Sequence, residues 1–398
     1  MKKNGKNTFD FVCKSNEFFF GAERLPRFFH ILKTTFLAIL YFFKKLCYNI
    51  VCGRICALLI GAVFRKSGTE QRQSMQTLLQ QTQSYTLVKT ESAENRLSHA
   101  YLLHFADGKN LRFALKEFAK ILFDCDTCAT VSQKRRAELI DKETFSDCLF
   151  FPAEEKKLSV DDAEKIKEES LLNPIEGDKK VFVVGDFAEA NVQTQNKLLK
   201  LLEEPPKGVI FLLGTTSVFP VLQTVLSRTK RLEILAFSTQ QVTQGLARTY
   251  GDKYDTETLS LCAACADGNV GQAQNMLEGG RYKTLLEQAF VLTRTPTFKL
   301  PQAVKTIGET KYKREFLSLL RLIFRDALLI KTQGNNAEKY LLLQSEKETL
   351  AAVAKEYDVP ALLYAQEGIS EAEKQVTFNA VFPQCIEILM AKIREKNS

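Results

Sequence analysis

Two apolar runs with a leucine-studded polar stretch between them dominate the middle of the chain. Val181-Phe182-Val183-Val184 is hydrophobic without alternation, which predicts a strand buried on both faces, and it turns at Gly185-Asp186. From Asn191 to Glu204 the apolar positions fall at 192, 198, 199, 201 and 202, a helical spacing that Pro205-Pro206 brings to an end. Val209-Ile210-Phe211-Leu212-Leu213 predicts a second buried strand, closing on Gly214-Thr215-Thr216, and Ser227-Arg228-Thr229 follows. Strand, helix, strand and exposed arginine form the back half of a nucleotide-type α/β domain.

The pattern on either side is helical. Met75 to Asn95 reads as polar helix, and Leu111 to Phe123 places Leu115, Phe118, Ala119 and Leu122 on one face. Ser159-Val160-Asp161-Asp162 has the form of a capped helix start. Helical patterns run from Ser238 to about Gly279. Beyond Arg281 come Leu285 to Leu292, Phe316 to Lys331, Ala337 to Glu356 and Phe378 to Arg394, with no strand run among them.

A length of 398 residues suits two or three domains. The net charge of +8 looks basic, but residues 1–70 hold 12 Lys/Arg against 4 Asp/Glu and so carry all of it. The rest is neutral, which excludes a general nucleic-acid-binding claim from charge. Ten dispersed cysteines form no secreted disulfide framework and suit a reduced, cytoplasmic protein.

Residues 1–74 stand apart, holding 11 of the 29 Phe. Lys33 and Arg54 break the apolar patches, leaving uncharged runs of ten residues at most, whereas a spanning helix wants about 20. Two readings stay open: a basic, aromatic membrane-surface anchor, or translated sequence upstream of a start at Met75.

The run Asn196-Lys197-Leu198-Leu199-Lys200-Leu201-Leu202-Glu203-Glu204-Pro205-Pro206, then Thr215-Thr216, then Leu226-Ser227-Arg228 resembles the clamp-loader branch of the AAA+ ATPases. Within that branch it is most similar to the delta-prime type of subunit in bacterial DNA polymerase III. The resemblance implies an AAA+ core over 75–235 (a RecA-like parallel sheet flanked by helices), a small helical lid over 236–282, and an all-α collar over 283–398. The extension 1–74 has no counterpart in it. The stretch Ala266-Asp267-Gly268-Asn269-Val270-Gly271 resembles the lid's turn, which implies that Gly268 ends one helix and the next starts after Gly271.

On the same resemblance, Ser98-His99-Ala100-Tyr101-Leu102 enters the first core strand, and a phosphate-binding loop G-x-x-x-x-G-K-[ST] should follow. Here the residues are His104-Phe105-Ala106-Asp107-Gly108-Lys109-Asn110. Gly108 and Lys109 remain, the first glycine is missing, Asp107 brings negative charge, and Asn110 replaces the hydroxyl that would bind Mg²⁺. The Asp-Glu that ends the next strand in an active ATPase is replaced by Gly185-Asp186, and Gln272 stands where the lid would supply a basic residue. The resemblance thus implies an ATPase fold with no ATPase, cofactor or metal of its own. Cys125 and Cys128 supply two of the four ligands that structural zinc needs, with Cys148 twenty residues on.

Arg228, preceded by Ser227, takes the arginine-finger position, acting in trans on ATP and Mg²⁺ held by a neighbouring subunit; Thr229 replaces the usual cysteine. Thr215-Thr216 finish their strand. The implied partners are the gamma/tau ATPase, the delta subunit, the sliding clamp and primer-template DNA, as part of a DNA-directed DNA polymerase holoenzyme. The rivals are an ATP-hydrolysing gamma/tau-type subunit and a diverged AAA+ scaffold outside replication.

Overall fold

The computed structural model describes residues 70–398, apart from 153–155, 281, 309, 311 and 398. The readings made for residues 1–69 lie outside the described residues. Among the described residues, no helix is long and apolar enough to cross a membrane.

Helical residues 70–80 lead into α1 (Gln83–Ala93). The expected boundary at residue 74/75 falls inside this first helix. Ser74 is buried and its hydroxyl donates to the Gly245 carbonyl at 3.0 Å, while Met75 and Leu79 are in the core. Packed structure therefore begins upstream of Met75.

The core is a five-stranded parallel sheet in the order β2-β3-β4-β1-β5. Its strands are β1 (Ala100–Phe105), β2 (Cys148–Phe151), β3 (Lys180–Asp186), β4 (Val209–Thr215) and β5 (Lys230–Ile234). The connecting helices are α2 (Gly108–Leu122), α3 (Val131–Asp141), α4 (Val160–Ser170), α5 (Val192–Glu203) and the single turn α6 (Gln223–Leu226). Parallel neighbours need crossover connections, so helices cover both faces and the central strands lose the usual alternation of polar and apolar residues. Tyr101, Leu103, Val183 and Leu212 face α1 and α2, whereas Leu102, Phe182, Phe211 and Leu213 face α4 and α5. This is the expected α/β architecture, a parallel sheet flanked by helices. Gly214 lets α2 lie close to β4, since a Cβ there would come 2.7 Å from Leu115 Cδ1.

Asn191 caps α5, and Ser159 and Ser238 head capping boxes at α4 and α7 (Thr239–Tyr250). The helices α8 (Thr256–Cys265) and α9 (Val270–Glu278) follow α7. Contrary to the sequence reading, α9 starts before Gly271: Asn269 is its N-cap, accepting from the Gln272 amide at 2.9 Å.

The C-terminal region holds α10 (Tyr282–Arg294), α11 (Leu300–Gly308), α12 (Lys313–Gln333), α13 (Lys347–Glu356), α14 (Val359–Thr377) and α15 (Phe382–Glu395). The helix expected over Ala337 to Glu356 is broken. Fully buried Asp326 on α12 accepts from the Leu342 and Leu343 amides at 2.9 and 3.0 Å, holding that stretch out of helical register. The last helix starts at Phe382 rather than Phe378, with Pro383 in its first turn.

Candidate functional site

The cleft that holds ligands in open α/β sheets lies beyond the carboxyl ends of the strands. Here β1 ends at Phe105 and α2 begins at Gly108, so only Ala106 and Asp107 connect them. Counting G-x-x-x-x-G-K back from Gly108 puts the first glycine at 103. Leu103 is inside β1, paired with Gly214 on one side and Leu232 on the other. The connection between β1 and α2 is thus two residues long.

A carboxylate of the chain itself stands at this connection. Asp107 is 2 % exposed and caps α2. Its Oδ1 accepts from the Asn110 amide at 3.2 Å, and its Oδ2 from Asn110 Nδ2 at 2.7 Å. Oδ2 also accepts from the Gly271 amide, at 2.7 Å, in the first turn of α9. One carboxylate thus serves two helix N-termini, the place where backbone amides and helix dipoles favour an anion. Burial pushes its pKa above the ordinary aspartate value, against the pull of the hydrogen bonds from Asn110 and Gly271. Glycine at 271 follows from the contact, because a Cβ would sit 2.2 Å from Asp107 Oδ1.

Two further ties join the loop to α9. Lys109 Nζ pairs with Glu278 at the far end of α9 at 2.8 Å, and Tyr250 donates to the same carboxylate. Asn269 Nδ2 donates to the Ala106 carbonyl at 3.2 Å. Lys109 is therefore committed to a protein carboxylate, and Asn110 to Asp107.

Gly185 and Asp186 end β3 beside this cleft. Asp186 Oδ1 accepts from the Thr216 and Ala188 amides at 3.0 and 3.1 Å, and Oδ2 accepts from the Thr216 hydroxyl. That carboxylate ties the end of β3 to the end of β4. The Thr215 hydroxyl donates to the Ser217 carbonyl at 2.6 Å, finishing the strand. Thr216 Cγ2 would lie 3.4 Å from a Cβ at Gly108, so the ends of β3 and β4 meet the start of α2.

Arg228 is not brought to them. It precedes β5, whose first residue pairs with Tyr101 near the start of β1, and so lies at the opposite end of the sheet. Six residues of β1 at about 3.3 Å each separate the two ends by roughly 20 Å. Arg228 Nη1 donates to the Thr224 carbonyl at 2.9 Å and to Ser227 Oγ at 3.2 Å, and Nη2 pairs with Glu203 at the end of α5. Its side chain remains one-third exposed. Thr229 is buried, donating to the Val225 carbonyl at 3.0 Å, and Lys230 pairs with Glu91 on α1.

Cys125 and Cys148 are buried thiols; burial pushes Cys125 up to about 12 and Cys148 well above its ordinary value. Cys128 Sγ lies 3.3 Å from the Cys125 carbonyl. No group of three or more metal-ligating side chains occurs among the described residues.

The sequence reading missed three participants: Gly271, Glu278 and Glu203. Asp107 just ahead of Gly108-Lys109 had the signature of a helix cap. Its second bond, to a residue 164 positions away, left no local signal.

Comparison with known proteins gives the cleft a context. Residues 80–238 match the family model described as DNA polymerase III, delta subunit. The chain is 26% identical over 199 residues to DNA polymerase III subunit tau/gamma of Haemophilus influenzae, covering 46% of this chain and 28% of that protein. Against subunit delta' of Bacillus subtilis it is 22% identical over 320 residues, covering 76% of this chain and 92% of that one. A solved gamma subunit-related protein of Thermotoga maritima covers 78% of this chain and 99% of its own at 17% identity, with a TM-score of 0.37. The chain spans about a third or less of the length of the tau and tau/gamma relatives it matches. These findings relate it to the clamp-loader group of DNA polymerase III that takes in tau, gamma and delta-prime subunits.

Proposed function

We propose that this relative of the clamp-loader subunits is of the non-hydrolysing, delta-prime type: a stator that assembles with ATPase subunits and helps place the sliding clamp on primed DNA. The observation that carries the reading is the Asp107 bridge. A protein carboxylate lies at the helix N-termini where a nucleotide phosphate would bind, in a loop too short to wrap one. The match to delta' along most of both chains points the same way, although percentage identity is higher to tau/gamma.

In this reading Arg228 acts on a neighbour's ATP, because its own cleft is at the other end of the sheet. Its planar, permanently charged guanidinium stabilises charge on the transferring phosphoryl group, an effect worth about 10³–10⁵ in rate in comparable systems. Parking on Glu203 is no obstacle, since a surface ion pair is worth about 0–1 kcal/mol and a partner's phosphates exceed that. Ser227 accepts from Arg228 and sets its starting rotamer.

The test is the DNA-stimulated ATPase rate of an assembly of the full chain with a gamma/tau-type ATPase, delta, clamp and primed DNA. The chain alone should neither bind nor hydrolyse ATP. Arg228→Ala should still assemble but lose at least tenfold in rate, with Arg228→Lys recovering little. ATP binding by the chain alone would move the assignment to the gamma/tau type. An unchanged rate with Arg228→Ala would remove the finger.

A further inference from the structure

Helices α8 and α10 and the segment Leu343–Thr349 line an open groove of about 490 Å³. Its lining includes the apolar side chains of Leu261, Leu286, Phe290 and Leu343, and Val291 stands in it 62% exposed. The walls are tied together. Glu257, in the first turn of α8, accepts from the Ser345 amide at 2.6 Å and from the Ser345 hydroxyl, and the Thr258 and Tyr282 hydroxyls are 3.1 Å apart. The groove is thus preformed, and its volume falls in the range of sites that take small ligands or anchoring side chains.

Its charge is one-sided. Asp255, Glu257, Glu287 and Glu346 line it against a single lysine, Lys283, and no Lys or Arg of the described residues forms an ion pair with any of the four. Asp255 is kept ionised by the hydrogen bonds of Thr258, whose amide donates to it at 3.1 Å. Four carboxylates around an apolar floor repel phosphate, which excludes nucleic acid and membrane headgroups as occupants. They attract Lys and Arg set beside large apolar residues.

We infer that this groove docks a basic amphipathic segment of a partner protein, its apolar residues on Leu286 and Val291 and its cations against Glu287 and Glu346. Helix-in-groove recognition uses this division of labour: apolar anchors supply affinity and rim charges set orientation. The surface stands whether the chain proves to be of the delta-prime or the gamma/tau type.

The experiment is fluorescence anisotropy of the full chain with a labelled 14-residue leucine–lysine amphipathic helix, read alongside amide exchange. Wild type should bind and gain protection over residues 256–262 and 282–293. The surface charge reversal Glu287→Lys with Glu346→Lys should weaken binding at least tenfold. Val291→Asn, which leaves charge untouched, should weaken it about fivefold. A control reversal at Glu138→Lys with Glu168→Lys, on exposed positions of α3 and α4, should leave it within twofold. If the control weakens binding as much as the groove reversal, the attraction is diffuse and the proposal fails. It fails equally if Val291→Asn has no effect or if protection appears elsewhere.

Discussion

Removing the Asp107 carboxylate is the sharpest test of how the cleft is closed. In Asp107→Ala, α2 loses its N-cap, a change that costs about 0.5–2 kcal/mol. The Gly271 amide, donating to Asp107 at 2.7 Å in a buried setting, loses its acceptor for a further cost of about 1–3 kcal/mol. Against this stands relief from holding a buried carboxylate, which its raised pKa reports. The balance is a loss of about 1–3 kcal/mol. Because the folded pKa lies above the ordinary 3.8, the stabilisation is greatest below that pH and shrinks as pH rises through the raised value. The difference between wild type and Asp107→Ala should therefore narrow as pH rises above 3.8.

Urea unfolding of the full chain measures the loss, and amide exchange localises it. The Gly271 amide should exchange at least tenfold faster in the variant, about 1.4 kcal/mol of lost protection. Gln272, whose amide is held by Asn269, should barely change and so acts as an internal control. Asp107→Asn retains a competent cap but only one oxygen, and should fall between wild type and alanine. If Gly271 exchanges at the wild-type rate in Asp107→Ala, the bridge does not hold the two helices together, and the main argument against nucleotide binding falls with it.

Two other perturbations read the core. Gly214→Ala would force a Cβ to within 2.7 Å of Leu115 Cδ1, and overpacking of this kind should cost about 1–3 kcal/mol in urea unfolding; a stabilised variant would mean that α2 shifts freely. Glu143 has the opposite pH signature to Asp107. Although burial would raise its pKa, Arg112 Nε at 2.7 Å and Lys116 Nζ at 2.8 Å outweigh burial and hold the pKa at about 2. Its contribution is present above the ordinary 4.5 and is lost as pH falls through 2, so acid unfolding of Glu143→Gln should be flatter than wild type across that window.

The sequence by itself determined what is written in short-range periodicity. The runs at 181–184 and 209–213 are β3 and β4, and the caps at Ser159, Asn191 and Ser238 begin α4, α5 and α7, because burial on two faces and capping are both local requirements. The missing first glycine was equally plain, since a loop pattern is counted along the chain. Two strands left no such trace. The four residues of β2 are too short for a pattern, and β5 is a half-exposed edge, Lys230–Ile234, whose charged residues disguise it. Tertiary structure alone decided the rest. Asp326 breaks the helix read over 337–356, Asp107 reaches Gly271, and Glu203 receives Arg228. In each case a carboxylate takes a donor brought to it only by folding. Which of many acidic residues meets which donor depends on the packing of whole elements, and neither partner carries that information in its own neighbourhood.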